Sequence, residues 1–239
     1  TENPERVVEV AMVGKYVSHK DAYLSVVEAL SHAGTANRVR VRIRQVEAED
    51  VEKEGVGLLE GVHGILVPGG FGSRGVWGKI RAAAYAREMR IPYLGICLGM
   101  QIAVVEFARN VCGIPSAHSV EMDTNTLDPV IASGPREPGS EDLPGAMRLG
   151  LYPCELDPSS LSFDAYGGKK VVEERHRHRY EFNNDYREIL SSRGMRIAGV
   201  CPERDLVEII ELEGHPWFVG VQFHPELKSR PVRPHPLFV

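Results

Sequence analysis

Long apolar runs are missing from this 239-residue sequence. None approaches the ~20 residues that a membrane-spanning helix requires, so neither such a helix nor a membrane partner is expected. The N-terminus, TENPERVVEV, is acidic and polar, lacks the basic-then-apolar order of a secretory signal, and starts without methionine. The chain therefore reads as a cytoplasmic piece of something longer. Cysteine is scarce, and Cys97, Cys112, Cys154 and Cys201 stand far apart with no C-x-x-C pair. That spacing predicts reduced thiols and excludes a disulfide framework as the source of stability. A surplus of positive charge is also absent: the net charge of −5 gives no field that favours nucleic acid or an anionic membrane. No internal repeat, low-complexity tract or interdomain linker breaks the sequence, so residues 1–239 are expected to form one domain large enough for a sizeable core.

What is present is a βαβα rhythm. VVEVAMVGKY (7–16) is β-branched and ends near a glycine, and DAYLSVVEALSHAG (21–34) has helical spacing with Gly34 as its expected stop. RVRVRIRQV (38–46) alternates as a strand with one wet face. A buried strand follows at 64–67, then a helix over 78–90, the strand IPYLGIC and the helix GMQIAVVEFARNV. The pattern predicts an α/β fold with a mostly parallel central sheet and helices on both faces. The second half is strand-rich: MRLGLYPCEL, ERHRHRYEF, MRIAGVCP, LVEIIEL and FVGVQFHPE, with one helix, NDYREILSSRG, among them. A small antiparallel extension is the expected result. Residues 123–146, rich in Pro, Gly, Ser and Asp, read as a long surface loop containing a short strand.

GICLG, Gly95 to Gly99, has the form of a nucleophile elbow, G-x-S-x-G, with cysteine for serine. A sharp strand-to-helix turn needs small residues on either side. It lifts Cys97 out at the C-terminal end of a strand, where open α/β sheets bind ligands. The helix N-terminus beside it favours thiolate. The plain alternative is a buried core cysteine in a tight turn. A thiolate nucleophile needs a base, and His224 in VGVQFHPEL supplies one. If that stretch is extended, Glu226 points to the same face as His224 and can orient it, in the order Cys…His…Glu. The alternative there is a solvated strand end. An oxyanion hole is expected from the amides of Leu98, just after the cysteine, and Gly70, in the glycine-rich VPGGFGSRG. A phosphate-binding loop is the weaker reading of those glycines, since neither a G-x-G-x-x-G fingerprint nor a helix-opening lysine at the P-loop spacing is expected there. In ERHRHRYEF, Arg175, Arg177 and Arg179 are expected on one face, with His176, His178 and Tyr180 on the other. No further ligands stand at a zinc spacing, so no metal is expected. An isolated basic stripe on an acidic chain does not argue for nucleic acid; arginines that grip an anionic substrate group or a neighbouring domain are an option, and a solvated or domain-facing surface is the default expectation.

Taken together, PGGFG, GICLGMQ, RHRHRYE and QFHPE resemble the class I, triad-type glutamine amidotransferases. ERHRHRYEFNN, the VGKY…DAYLSV opening and HPWFVGVQFHPELKSRP are similar in particular to the C-terminal glutaminase domains of the CTP synthase family. The resemblance implies that Cys97 attacks the side-chain amide of L-glutamine, that ammonia leaves a γ-glutamyl thioester, and that His224, oriented by Glu226, activates the water that releases glutamate. It implies an oxyanion at Gly70 and Leu98, and substrate contacts from Gly70, Leu98, Gly99, Met100, Gln101, Glu121 and Arg179, some through the main chain. It implies no cofactor in this domain. For the whole enzyme it implies ATP with Mg, GTP as allosteric activator, a homo-oligomer (a tetramer), and an N-terminal synthetase domain, absent from this chain, that aminates UTP to CTP. Two alternatives share the fold: a free-standing γ-glutamyl hydrolase and a redox-sensing module. The sequence departs from the family pattern at Trp77, where glutamate is expected, and in stopping at HPLFV, where a further helix is expected.

Overall fold

The computed structural model describes residues 4–15, 22–134 and 147–239. Among them run twelve strands: β1 Arg6–Gly14, β2 Val39–Glu47, β3 Gly64–Val67, β4 Tyr93–Ile96, β5 Ala117–Ser119, β6 Asp128–Ser133, β7 Arg148–Leu156, β8 Val171–His178, β9 Tyr180–Phe182, β10 Met195–Cys201, β11 Leu206–Leu212 and β12 Phe218–Val221. The helices are α1 Leu24–Ala36, α2 Ala48–Glu54, α3 Val76–Met89, α4 Leu98–Asn110, α5 Leu161–Ala165 and α6 Arg187–Ser191.

Nine strands form one sheet in the order β2-β1-β3-β4-β12-β11-β10-β7-β8. The first five pair in parallel, and the pairings from β12 to β8 are antiparallel. The antiparallel arm thus continues the main sheet and is larger than a small extension. A separate three-stranded sheet, β5-β6-β9, lies beside it. Strand alternation sorts the core onto two faces. Ala11, Val13, Ile65, Val67 and Tyr93 pack with α3 and α4, while Met12, Leu66, Leu94 and Ile96 pack with Val26 and Leu30 of α1. Helices therefore cover both faces, as the βαβα rhythm predicts.

Three expectations are corrected. Gly34 does not stop α1, which runs on to Ala36. A Cβ there would lie 2.9 Å from Val41 Cγ2 and 3.0 Å from the Val39 carbonyl, so the glycine serves close packing of α1 on β2. ERHRHRYEF is not one strand: β8 joins the large sheet and β9 the small one, with the break at Arg179. NDYREILSSRG forms a one-turn 3-10 helix, Asn184–Tyr186, and then the short α6. The expected long loop holds β6, and its residues 135–146, like residues 16–21 of the VGKY…DAYLSV opening, lie outside the described residues.

Candidate active site

The site forms where β3, β4 and β12 end side by side. Val221 stands in register with Ile96, and Val67 with Gly95. Cys97 follows β4 directly, and its N–H donates to the Val221 carbonyl at 2.7 Å. It caps α4 with φ 53 and ψ −102, a conformation that L-residues rarely hold without support from their surroundings. That support is visible. A Cβ on Gly95 would lie 2.6 Å from the Gly99 carbonyl, and one on Gly99 would lie 2.1 Å from the Val67 carbonyl. Only glycine fits at either flank of the elbow.

His224 reaches the thiol from the chain after β12, where its N–H donates to the Arg175 carbonyl of β8 at 2.8 Å. Its Nδ1 lies 2.7 Å from Glu226 Oε1. The expected route to that contact is wrong: the strand ends at Val221, and Glu226 sits in a one-turn 3-10 helix, Pro225–Lys228. The turn brings carboxylate and imidazole together where an extended chain was expected to do so. Burial works against a charged His224, but the Cys97 sulfur and the Glu226 carboxylate beside it outweigh burial and raise its pKa to about 10. Nε2 has no partner of ordinary hydrogen-bond geometry and is left for chemistry at the thiol. A Cβ on Gly69 would meet the His224 ring at 2.8 Å, so this glycine keeps the space beside the thiol open.

Gly70, Phe71, Cys97, Arg177, His224 and Glu226 are among the residues lining a cavity of about 330 Å³. Leu98 opens α4, where an N–H has no carbonyl one turn back to bond. A Cβ on Gly70 would touch the Leu98 side chain at 3.4 Å, so the two residues expected to supply the oxyanion donors pack against each other. Gly99 and Met100 follow, buried, in the first turn of α4. Glu121 is not on the cavity wall: its Oε1 accepts from Gly72 N–H at 2.8 Å and ties down the loop that carries Gly70. That carboxylate also argues against phosphate. Gly70 to Gly75 do read G-x-G-x-x-G between a strand and a helix, but Gly72 N–H, one of the amides of that turn, is already bonded to an anion. Arg179 is exposed at the break between β8 and β9, and it is Arg177 that faces the cavity. Gln101 departs most from expectation. Its side chain is buried and donates to the Tyr180 carbonyl and to Gln222, and its own N–H is held by the Cys97 carbonyl.

Sequence reasoning missed Gln222 and a buried charge cluster behind the site. His176, His178, Arg148, Glu181 and Glu208 are all at most 3% exposed. The alternation of β8 was readable, but that its histidine face is the inner one was not. Among the described residues no group of three or more His, Cys, Asp or Glu is placed to hold a metal ion, and no helix is long and apolar enough to cross a membrane. Trp77 is half exposed at the start of α3, with the Arg109 guanidinium 4.9 Å from its ring centre.

Residues 18–239 match the glutamine amidotransferase class-I family. The chain belongs to that family. Within it, the chain is 60% identical over 236 residues to the CTP synthase of Moorella thermoacetica, and 59% over 237 residues to that of Caldanaerobacter subterraneus. Each match covers 99% of this chain but 44% of the relative, so the chain spans less than half the length of the curated relatives it matches. It corresponds to their glutaminase part. The glutaminase domain of Trypanosoma brucei CTPS, solved with bound acivicin, superposes with a TM-score of 0.91 at 39% identity, covering 97% of this chain and 90% of that one. These matches do not favour a free-standing hydrolase or a redox module.

Proposed function

We propose that this chain hydrolyses L-glutamine to glutamate and supplies the ammonia to a CTP synthase reaction. The observation that carries the proposal is a thiol on a strained elbow beside an imidazole whose far nitrogen is held by a carboxylate, at the wall of a cavity large enough for an amino acid. With His224 held in its charged form, Cys97 attacks the side-chain amide carbon as thiolate. The oxygen of the tetrahedral intermediate takes hydrogen bonds from the amides of Leu98 and Gly70. His224 gives its Nε2 proton to the departing nitrogen, ammonia leaves, and a γ-glutamyl thioester remains on Cys97. His224 then takes a proton from water. The hydroxide adds to the thioester carbon, and the C–S bond breaks to release glutamate and restore the thiolate. Glu226 keeps the ring oriented and its charge stabilised throughout. For the amino-acid end of glutamine the resemblance offers Glu121, Arg179 and the main chain at Gly99 and Met100; of the side chains, Glu121 holds the loop that carries Gly70, and Arg177 rather than Arg179 lines the cavity.

The relatives' length beyond this chain is where a synthetase part would take ATP with Mg and aminate UTP, with GTP as activator, in a cytoplasmic homo-oligomer. No residue here is assigned to those ligands. The test exposes the chain to a glutamine-like diazoketone and reads intact and peptide mass. A single adduct on Cys97, blocked by excess glutamine, is expected, and Cys97→Ala should take no label and turn over no glutamine. Equal labelling of Cys112, Cys154 and Cys201, or turnover by Cys97→Ala within tenfold of the parent, would refute the assignment.

A further inference from the structure

Gln222 stands one residue past β12, entirely buried, with its N–H fixed by the Glu208 carbonyl at 2.9 Å. Its Nε2 lies 3.7 Å from Cys97 Sγ, within reach of a hydrogen bond to sulfur. The two ends of an amide have nearly the same shape, so the surrounding network decides which atom faces the thiol. Here it leaves no choice. The Tyr180 main-chain carbonyl can only accept, and Gln101 Nε2 donates to it at 3.2 Å. The same nitrogen lies 3.2 Å from Gln222 Oε1. Reversing Gln101 would set two oxygens against each other at Tyr180. Reversing Gln222 would set two NH2 groups against each other and turn a carbonyl toward the sulfur. The chain of donors, started by a backbone oxygen, ends with an N–H aimed at Sγ.

We propose that Gln222 stabilises the thiolate of Cys97, and that Gln101 acts as a positioning residue that forces the Gln222 amide to present its N–H to the sulfur. The inference rests on Cys97 being the nucleophile. A thiolate accepts hydrogen bonds far better than a thiol, so a fixed donor favours the charged form and holds Sγ in one place. The donor is neutral, so its own charge does not depend on pH or on the protonation of His224. The other groups that set the charge at Cys97 are His224 and Glu226 after β12, Arg177 across the cavity on β8, and His176 and His178 behind His224. Burial holds the last two neutral, at about 2 and 3, so they do not compete as sources of positive charge.

The test is the rate of Cys97 alkylation by iodoacetamide from pH 5 to 9.5, followed by peptide mass, in the parent, Gln222→Met, Gln101→Met and the double variant. In Gln222→Met the pH at which Cys97 alkylation falls off should move up by about one unit, so that below that midpoint the variant reacts roughly tenfold more slowly than the parent. Gln101→Met should shift the same way by less, and the double variant should be no worse than Gln222→Met, because one residue acts through the other. If Gln222→Met does not fold, the Gln101→Met profile decides in the same sense. Variant profiles that superpose on a parent whose Cys97 is reactive and protected by glutamine would overturn this inference alone. A parent Cys97 no faster than Cys112 would overturn the nucleophile assignment and this inference with it.

Discussion

At the scale of single residues, Glu121 holds a loop that the sequence did not connect with it. Glutamine's α-ammonium needs an anion, and the resemblance assigns that role to Glu121. In the structure one of its oxygens already holds Gly72 N–H at 2.8 Å, two residues from Gly70. Removing the carboxylate should therefore weaken binding of glutamine and loosen the loop beside the oxyanion site, while leaving Cys97, His224 and Glu226 in place. Glu121→Ala is expected to raise KM for glutamine by roughly tenfold to a hundredfold, the loss of one charge-assisted hydrogen bond of ~1.5–3 kcal/mol. The kcat should fall by a smaller factor than KM rises, since Cys97, His224 and Glu226 stay in place and only the loop that carries Gly70 is loosened. Steady-state kinetics with glutamate release as readout would settle it, and an unchanged KM would sink the role. That Cys97, His224 and Glu226 would stand together was readable from residue type and spacing, because a thiol mechanism asks for a nucleophile, a base and an orienter of those types. Gln222 was not readable: an amide in a buried strand end carries no signature until its partners are known.

At the scale of elements, the elbow shows how a short motif carries its own geometric demand. Gly95 and Gly99 are small because β4, the start of α4 and the end of β3 approach within contact of one another. A methyl group on Gly99 would sit 2.1 Å from a backbone carbonyl, which cannot move aside as a flexible side chain can. Gly99→Ala should lose about 3 kcal/mol of stability and its Cys97 reactivity together, as α4 shifts away from β3. Gly57→Ala is the control, since it is exposed with nothing within 4 Å of the new methyl, and should stay within ~0.5 kcal/mol of the parent. Urea unfolding midpoints with matched slopes would make the comparison. Equal midpoints for the two variants would mean that the elbow is not held by this packing. The same scale explains the error over residues 174–182. Their two-residue alternation is unbroken, so nothing local marks an end at His178. Only pairing with β7 on one side of Arg179 and with β6 on the other divides the stretch into two strands.

At the scale of the whole molecule, the large sheet encloses charge. Arg148 donates to Glu181 Oε1 at 3.1 Å and lies 2.8 Å from Glu208 without hydrogen-bond alignment, and His176 and His178 complete the cluster. Burial raises Glu181 to about 8 and Glu208 to about 7, against the pull of Arg148, from an ordinary value of 4.5. The histidines go the other way, from 6.5 to about 2 and 3. The signs follow from which state holds more protons. From pH 3 to 6.5 the unfolded histidines hold protons that the folded ones lack, so their contribution to stability grows with pH. From 4.5 to 8 the folded carboxylates hold protons that the unfolded ones lack, so theirs falls. The two trends oppose each other between 4.5 and 6.5, and above 6.5 the carboxylate loss stands alone with that of His224. The thermal midpoint should therefore drop between pH 6.5 and 8, and Glu208→Gln, which cannot titrate, should flatten that drop. An equal slope in parent and variant would show that the cluster does not titrate in this window.

The α/β class, the elbow and the set of Cys97, His224 and Glu226 were determined by the sequence itself, because each depends on local rules: periodicity, the glycines a tight turn needs, and the residue types a thiol mechanism requires. Other features were decided only by tertiary structure. These are the antiparallel half of the sheet, the split at Arg179, the 3-10 turn that carries Glu226, the inward histidines, and the amide chain from Tyr180 through Gln101 to Gln222. They share one physical reason. Each depends on which distant strand or carbonyl lies opposite, and burial against that neighbour, rather than the identity of the adjacent residues, sets the energy of the arrangement.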